Sequence, residues 1–139
     1  VNNDFSRPVT GHVPVLRLGD VLLVTVQGDL YDSTAQQLQE DIGETIVSTG
    51  VTGVVIDISG VEIVDSFLGR VLAEIAATAR LLAARTVVAG MRPAVAITLV
   101  ELGLTLPGLR TALTTEAAMD LLAGLDPNTR SGGLRQENR

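Results

Sequence analysis

The sequence predicts an α/β fold: a single domain on a mainly parallel β-sheet with an N-terminal hairpin, its helices following the strands. Three observations predict it. Short β-type apolar runs (Val21 to Gln27, Val54 to Ile58, Thr86 to Ala89) alternate with longer stretches of helical periodicity. The run VLLVTVQ is almost continuously apolar, as expected of a strand buried on both faces. The chain has 139 residues, 46% of them hydrophobic, which suffices for one compact core and is short for two ordinary domains.

The elements follow in order. Residues 1–12 (VNNDFSRPVTGH) lack periodicity and read as a flexible lead. Val13 to Leu18 and Val21 to Gln27 flank Gly19-Asp20, a hairpin signal. After the loop Gly28 to Asp32, Ser33 and Gln36 form a capping-box pattern opening a helix. Its apolar face is Ala35, Leu38, Ile42 and Ile46, and Gly50 is the expected stop. Val54 to Ile58 is the next strand and Phe67 to Leu82 the next helix. On that helix Phe67, Val71, Ile75 and Ala79 form an apolar stripe, while Arg70 and Glu74 stand at i, i+4 on the wet face. Thr86 to Ala89 is a further strand. Pro93 opens a helix that Gly103 closes. A short strand is expected at Leu109 to Leu113, and a last helix at Glu116 to Leu122. The domain thus runs from residue 13 to 125, and 126–139, polar and rich in Gly and Arg, read as a disordered tail.

In this order, ββαβαβα(β)α, three strands each feed a helix. Their C-terminal ends therefore share one edge of the sheet, where α/β proteins usually place their function. The loops 28–33, 59–66 and 90–93 gather there. They bring together Asp29, Asp32, Glu62 and Asp65, with Arg92 opposite and Ser66 at the mouth of a helix.

Composition excludes much of the chemistry such an edge might host. The chain has no cysteine, and its one histidine, His12, lies far from any acidic cluster. All ten basic residues are arginines, so neither a phosphate-binding nor a Schiff-base lysine exists. The comparison of Asp57 with the phospho-accepting aspartate of receiver domains fails for the same reason, leaving Asp57 as a loop-forming or capping carboxylate. The acidic loops could offer carboxylates to Mg²⁺, but no Gly-rich phosphate cradle accompanies them. Ser66 lacks the G-x-S-x-G context and the histidine of a serine hydrolase. A net charge of −6 with 2% aromatics argues against nucleic acid. No apolar run reaches the ~20 residues of a membrane span and no signal segment opens the chain, so a cytoplasmic location is expected.

Two positions stay open on local grounds. Ser66 is an N-cap or a reactive hydroxyl, with Asp65 as the other possible cap. Gly69, inside a helix at a cost of ~1 kcal/mol relative to Ala, serves either tight packing on the sheet or the close approach of another molecule.

Three separated blocks carry a family resemblance: VTVQGDLYDSTAQQLQEDI, GVVIDISGVEIVDSFLGRVL and AGMRPAVAITLVELGL. The chain resembles a STAS domain, the anti-sigma-factor-antagonist fold, and most closely the stressosome S-subunit (RsbS) type. That type shares the segment Pro14 to Gly19, the Asp-Ser-Phe triplet at Asp65, Ser66 and Phe67, and the stretch Gly90 to Gly103. The resemblance implies a non-catalytic scaffold without cofactors, phosphorylated on Ser66 by an RsbT-type switch kinase that brings its own ATP and Mg²⁺. It implies assembly with RsbR-type STAS paralogues, and self-association through STAS domains. Asp29, Asp32, Glu62, Asp65, Phe67, Gly69 and Arg92 would surround the phosphosite. A simple antagonist that binds an anti-sigma kinase directly is the alternative, and a small nucleotide-binding hydrolase is the alternative of another class.

Overall fold

The computed structural model describes residues 13–28, 30–104, 106 and 109–124. The expected lead (1–12) and tail (126–139) lie outside the described residues, as do His12 and Asp29. Among the described residues nine elements run β1 (Val15–Leu18), β2 (Val21–Gln27), α1 (Asp32–Thr49), β3 (Gly53–Gly60), α2 (Ser66–Leu81), β4 (Arg85–Ala89), α3 (Pro93–Glu101), β5 (Arg110–Ala112) and α4 (Thr115–Leu122). The five strands form one sheet in the order β1-β2-β3-β4-β5. β1 and β2 pair antiparallel across the Gly19-Asp20 turn, with Leu18 opposite Val21, and the other pairings are parallel.

Two apolar layers enclose the sheet because successive strand residues point to opposite faces. On one face Leu22, Val24 and Val26 of β2, Val54, Ile56 and Ile58 of β3, and Val88 of β4 pack with α1, α2 and α3. On the other, Val21, Val55, Val87 and Ala89 meet Ala118 and Leu122 of α4. The expectation that β2 is buried on both sides holds only in part: Leu22, Val24 and Val26 are buried on one face, while on the other Val21 is buried and Leu23 and Thr25 are half-buried. α4 is tied down at its end, where Arg85 Nη2 donates to the carbonyl of Leu122 at 2.6 Å, a cation suited to the negative end of a helix. Among the described residues no helix is long and apolar enough to cross a membrane.

Two local expectations are corrected. The capping box at Ser33 and Gln36 does not form: α1 starts two residues earlier, with extended Tyr31 at the cap position and no side-chain cap bond. Asp32 occupies the first turn instead, where its charge favours the helix's positive end. On α2, Glu74 accepts a hydrogen bond from Gln39 Nε2 of α1 at 3.1 Å, a tertiary link in place of the expected pair with Arg70.

Candidate functional site

The site grows from the end of β3. Asp57 Oδ1 accepts the backbone N–H of Ser59 at 2.9 Å, and Val61 N–H donates to the Ile58 carbonyl at 3.0 Å, so the chain turns as it leaves the sheet. Asp57 is thus a loop-forming carboxylate, as its sequence context suggested. Val61 and Val64 are buried and pin the loop, which leaves Glu62 and Ile63 exposed between them.

Asp65 then settles the cap. Its backbone is extended (φ −129°, ψ −178°) and its Oδ1 accepts the N–H of Leu68 at 3.0 Å. Ser66 is the first helical residue of α2, exposed, and its hydroxyl has no partner among the described residues. The cap reading of Ser66 is therefore corrected. One N-terminal N–H of α2 is satisfied by Asp65, while the helix still turns its positive end toward whatever Ser66 carries.

The predicted gathering of loops occurs. A hollow of about 230 Å³ is lined by Gly28, Leu30, Tyr31, Ile63, Asp65, Phe67 and Leu68, joining the loop after β2 to the mouth of α2. That volume is below the roughly 300–1,000 Å³ of small-molecule sites. Phe67 also lines a second groove between α1 and α2, together with Asp32, Arg70 and Glu74. Phe67 is thus a wall between two depressions, with Asp32 on one side and Asp65 on the other.

The third loop closes on the far side of the β3 loop. Arg92 Nε donates to the Ser59 carbonyl at 2.9 Å, and its Nη1 lies 3.9 Å from Glu62 Oε2. The Glu62 pair is solvent-exposed and contributes little to stability. The approach is close because Gly90 has φ +76°, and a Cβ there would stand 3.0 Å from Ser59 Cβ. Asp29 lies outside the described residues. Among the described residues no group of three or more His, Cys, Asp or Glu could hold a metal ion.

Gly69 has a specific neighbour within the chain. A Cβ there would fall 2.5 Å from Cδ1 of Leu104 and 3.4 Å from Cδ2 of Leu99. The segment leaving α3 seats a leucine on the first turn of the Ser66 helix. Sequence reasoning overlooked Tyr31, Ile63 and Ser59. Tyr31 is the chain's one tyrosine and is 65% exposed in a site loop, a signal available from the sequence.

This architecture, a hairpin-led parallel sheet displaying a serine at the mouth of its second helix, defines the class. The STAS-domain family model matches residues 12–118, and the chain belongs to that family. Among solved structures it is similar to RsbS of Moorella thermoacetica, in a form bearing a serine-to-glutamate substitution. The identity is 42%, over 81% of this chain and 95% of that one, with a TM-score of 0.71. It is equally similar (42%, TM-score 0.70) to a chain in the structure described as the molecular architecture of the stressosome, a signal integration and transduction hub. Among curated proteins it is 32% identical to the RsbT co-antagonist protein RsbRC of Bacillus subtilis over 85% of this chain. The match spans only 41% of RsbRC.

Proposed function

We propose that this chain is a stressosome S-subunit, a non-catalytic scaffold that holds an RsbT-type serine kinase and releases it when Ser66 is phosphorylated. The observation that carries the reading is the division of labour at α2. Asp65 caps the helix, so the neighbouring hydroxyl is unbonded and exposed for another protein's chemistry. A phosphate there adds about −1.5 to −2 charge beside Asp65 and Glu62. A partner docked on that rim meets a changed charge and an altered shape, a local event with a large readout.

The kinase supplies ATP and Mg²⁺, and the scaffold supplies the displayed serine and the surrounding surface of Asp32, Glu62, Asp65, Phe67 and Arg92. The 42% identity to RsbS and the similarity to the RsbT co-antagonist RsbRC support assembly with RsbR-type STAS paralogues in the cytoplasm. Direct capture of an anti-sigma kinase by a simple antagonist is the competing reading. Co-expression with an RsbR-type paralogue, followed by electron microscopy, separates the two: a large mixed particle is expected, and its absence contradicts the assembly.

The kinase step is tested by titrating an RsbT-type kinase against the wild-type chain and Ser66→Asp. Affinity is expected to fall about tenfold or more as the charge and shape of the docking rim change. Equal affinities would show that the kinase docks elsewhere.

A further inference from the structure

Near their C-terminal ends, α1 and α2 leave a hollow of about 470 Å³ between them, larger than the one beside Ser66. It is lined by Gln39, Glu40, Gly43, Glu44, Val47 and Leu82, and the surface it exposes is almost wholly apolar. Val47 is 70% exposed. Gly43 bares the helix backbone at the centre of this stretch. A Cβ there would meet nothing nearer than Leu82 Cδ1, at 3.8 Å. Glycine is disfavoured inside a helix, and this one, unlike Gly69, has no side chain of the domain pressed onto it.

The charge around the hollow is of one sign. α1 carries Asp32, Glu40, Asp41 and Glu44 and no basic residue. Glu40 and Glu44 stand four apart, a like-charge spacing that works against the helix. Neither takes part in an ion pair among the described residues. The surface thus fits an apolar side chain flanked by cations.

The chain carries such a segment, and it starts from the same end of the sheet. Leu122 of α4 lies against Gly53, the first residue of β3, and its carbonyl accepts from Arg85 Nη2 at 2.6 Å. Arg85 opens β4 only three residues after Leu82. Within residues 126–139, which follow α4, the one large apolar residue is Leu134. Arg130 precedes it, Arg135 follows it, and no acid occurs between Pro127 and Gln136. Leu134 is ten positions beyond Gly124, a reach of up to about 35 Å, enough to round the end of the sheet.

We propose that the hollow between α1 and α2 is the docking site of this chain's own residues 130–135, with Leu134 against Val47 and Leu82 and the two arginines over Glu40 and Glu44. A segment too polar to fold by itself orders on a surface that matches it. One leucine and two exposed ion pairs make a weak contact. The short tether offsets that weakness through a high effective concentration. The proposal is independent of phosphorylation at Ser66.

The chain has no cysteine, so Val47→Cys with Leu134→Cys supplies its only two thiols. Under mild oxidation of the dilute full chain, an intrachain disulfide is expected about tenfold or more faster than for Leu18→Cys with Leu134→Cys. Leu18 is a fair control because it is exposed and pairs with Val21, which itself pairs with Gly53 at the end of the sheet where α4 stops. Arg130→Glu combined with Arg135→Glu should slow closure at Val47→Cys about tenfold, and adding Glu40→Arg and Glu44→Arg should restore it. Native-like circular dichroism of each variant separates these effects from misfolding. Equal rates at positions 47 and 18, disulfides formed only between chains, or closure indifferent to the reversal of the two arginines would each overturn the proposal.

Discussion

The Asp65 carboxylate accepts the Leu68 N–H at 3.0 Å, three residues on, so the capping of α2 belongs to Asp65 and leaves Ser66 unbonded. An adjacent acid and serine at a helix mouth thereby divide two tasks that a single hydroxyl could not perform together. A serine committed to capping is a poor phosphate acceptor, because its oxygen already serves the backbone.

Stability measurements should reproduce that division. Asp65→Ala is expected to cost about 1 kcal/mol, the usual loss for an N-cap. Ser66→Ala should stay within about 0.5 kcal/mol of wild type, as for an exposed residue that makes no bond. Urea denaturation of both variants checks this, and a larger loss from Ser66→Ala would return the cap to Ser66.

The contact of Leu104 with Gly69 should appear as coupling. Ala at position 69 gains up to about 1 kcal/mol of helix propensity, but its Cβ would meet Leu104 Cδ1 at 2.5 Å. Gly69→Ala is therefore expected to be more favourable in a Leu104→Ala background than in wild type, by about 0.5 kcal/mol or more. A double-mutant cycle by denaturant unfolding measures the difference, and additivity would mean that the two residues do not touch.

Thr86 lies buried on β4, and its Oγ1 has no hydrogen-bond partner among the described residues. Thr86→Val keeps the shape and removes an unsatisfied hydroxyl, a change expected to stabilise by about 1 kcal/mol. Thermal unfolding should show a rise in melting temperature. A fall would reveal a partner for the hydroxyl.

The sheet and its helices were legible because apolar period and length change together along the chain. VLLVTVQ and VVIDI are short and nearly continuous, whereas Leu38, Ile42 and Ile46 recur at helical spacing. Connectivity then required three loops to meet at one edge, and they do. The illegible features are those set by distant residues. Gly69 is explained by Leu104, thirty-five positions later, and Glu74 takes its partner from α1 rather than from its own helix. The capping box at Ser33 failed because a local pattern cannot tell where the incoming chain leaves its extended conformation, and here it does so at Tyr31. The same ambiguity makes Asp65 and Ser66 rival caps in the sequence, and the extended backbone of Asp65 decides between them.

The central claim is that Ser66 is displayed for another protein's kinase. Incubation of the full chain with an RsbT-type kinase and ATP-Mg²⁺, followed by mass spectrometry, tests it directly. A single phosphate on Ser66, absent from Ser66→Ala, is the expected result. Phosphate confined to other positions, or equal incorporation into Ser66→Ala, would contradict it.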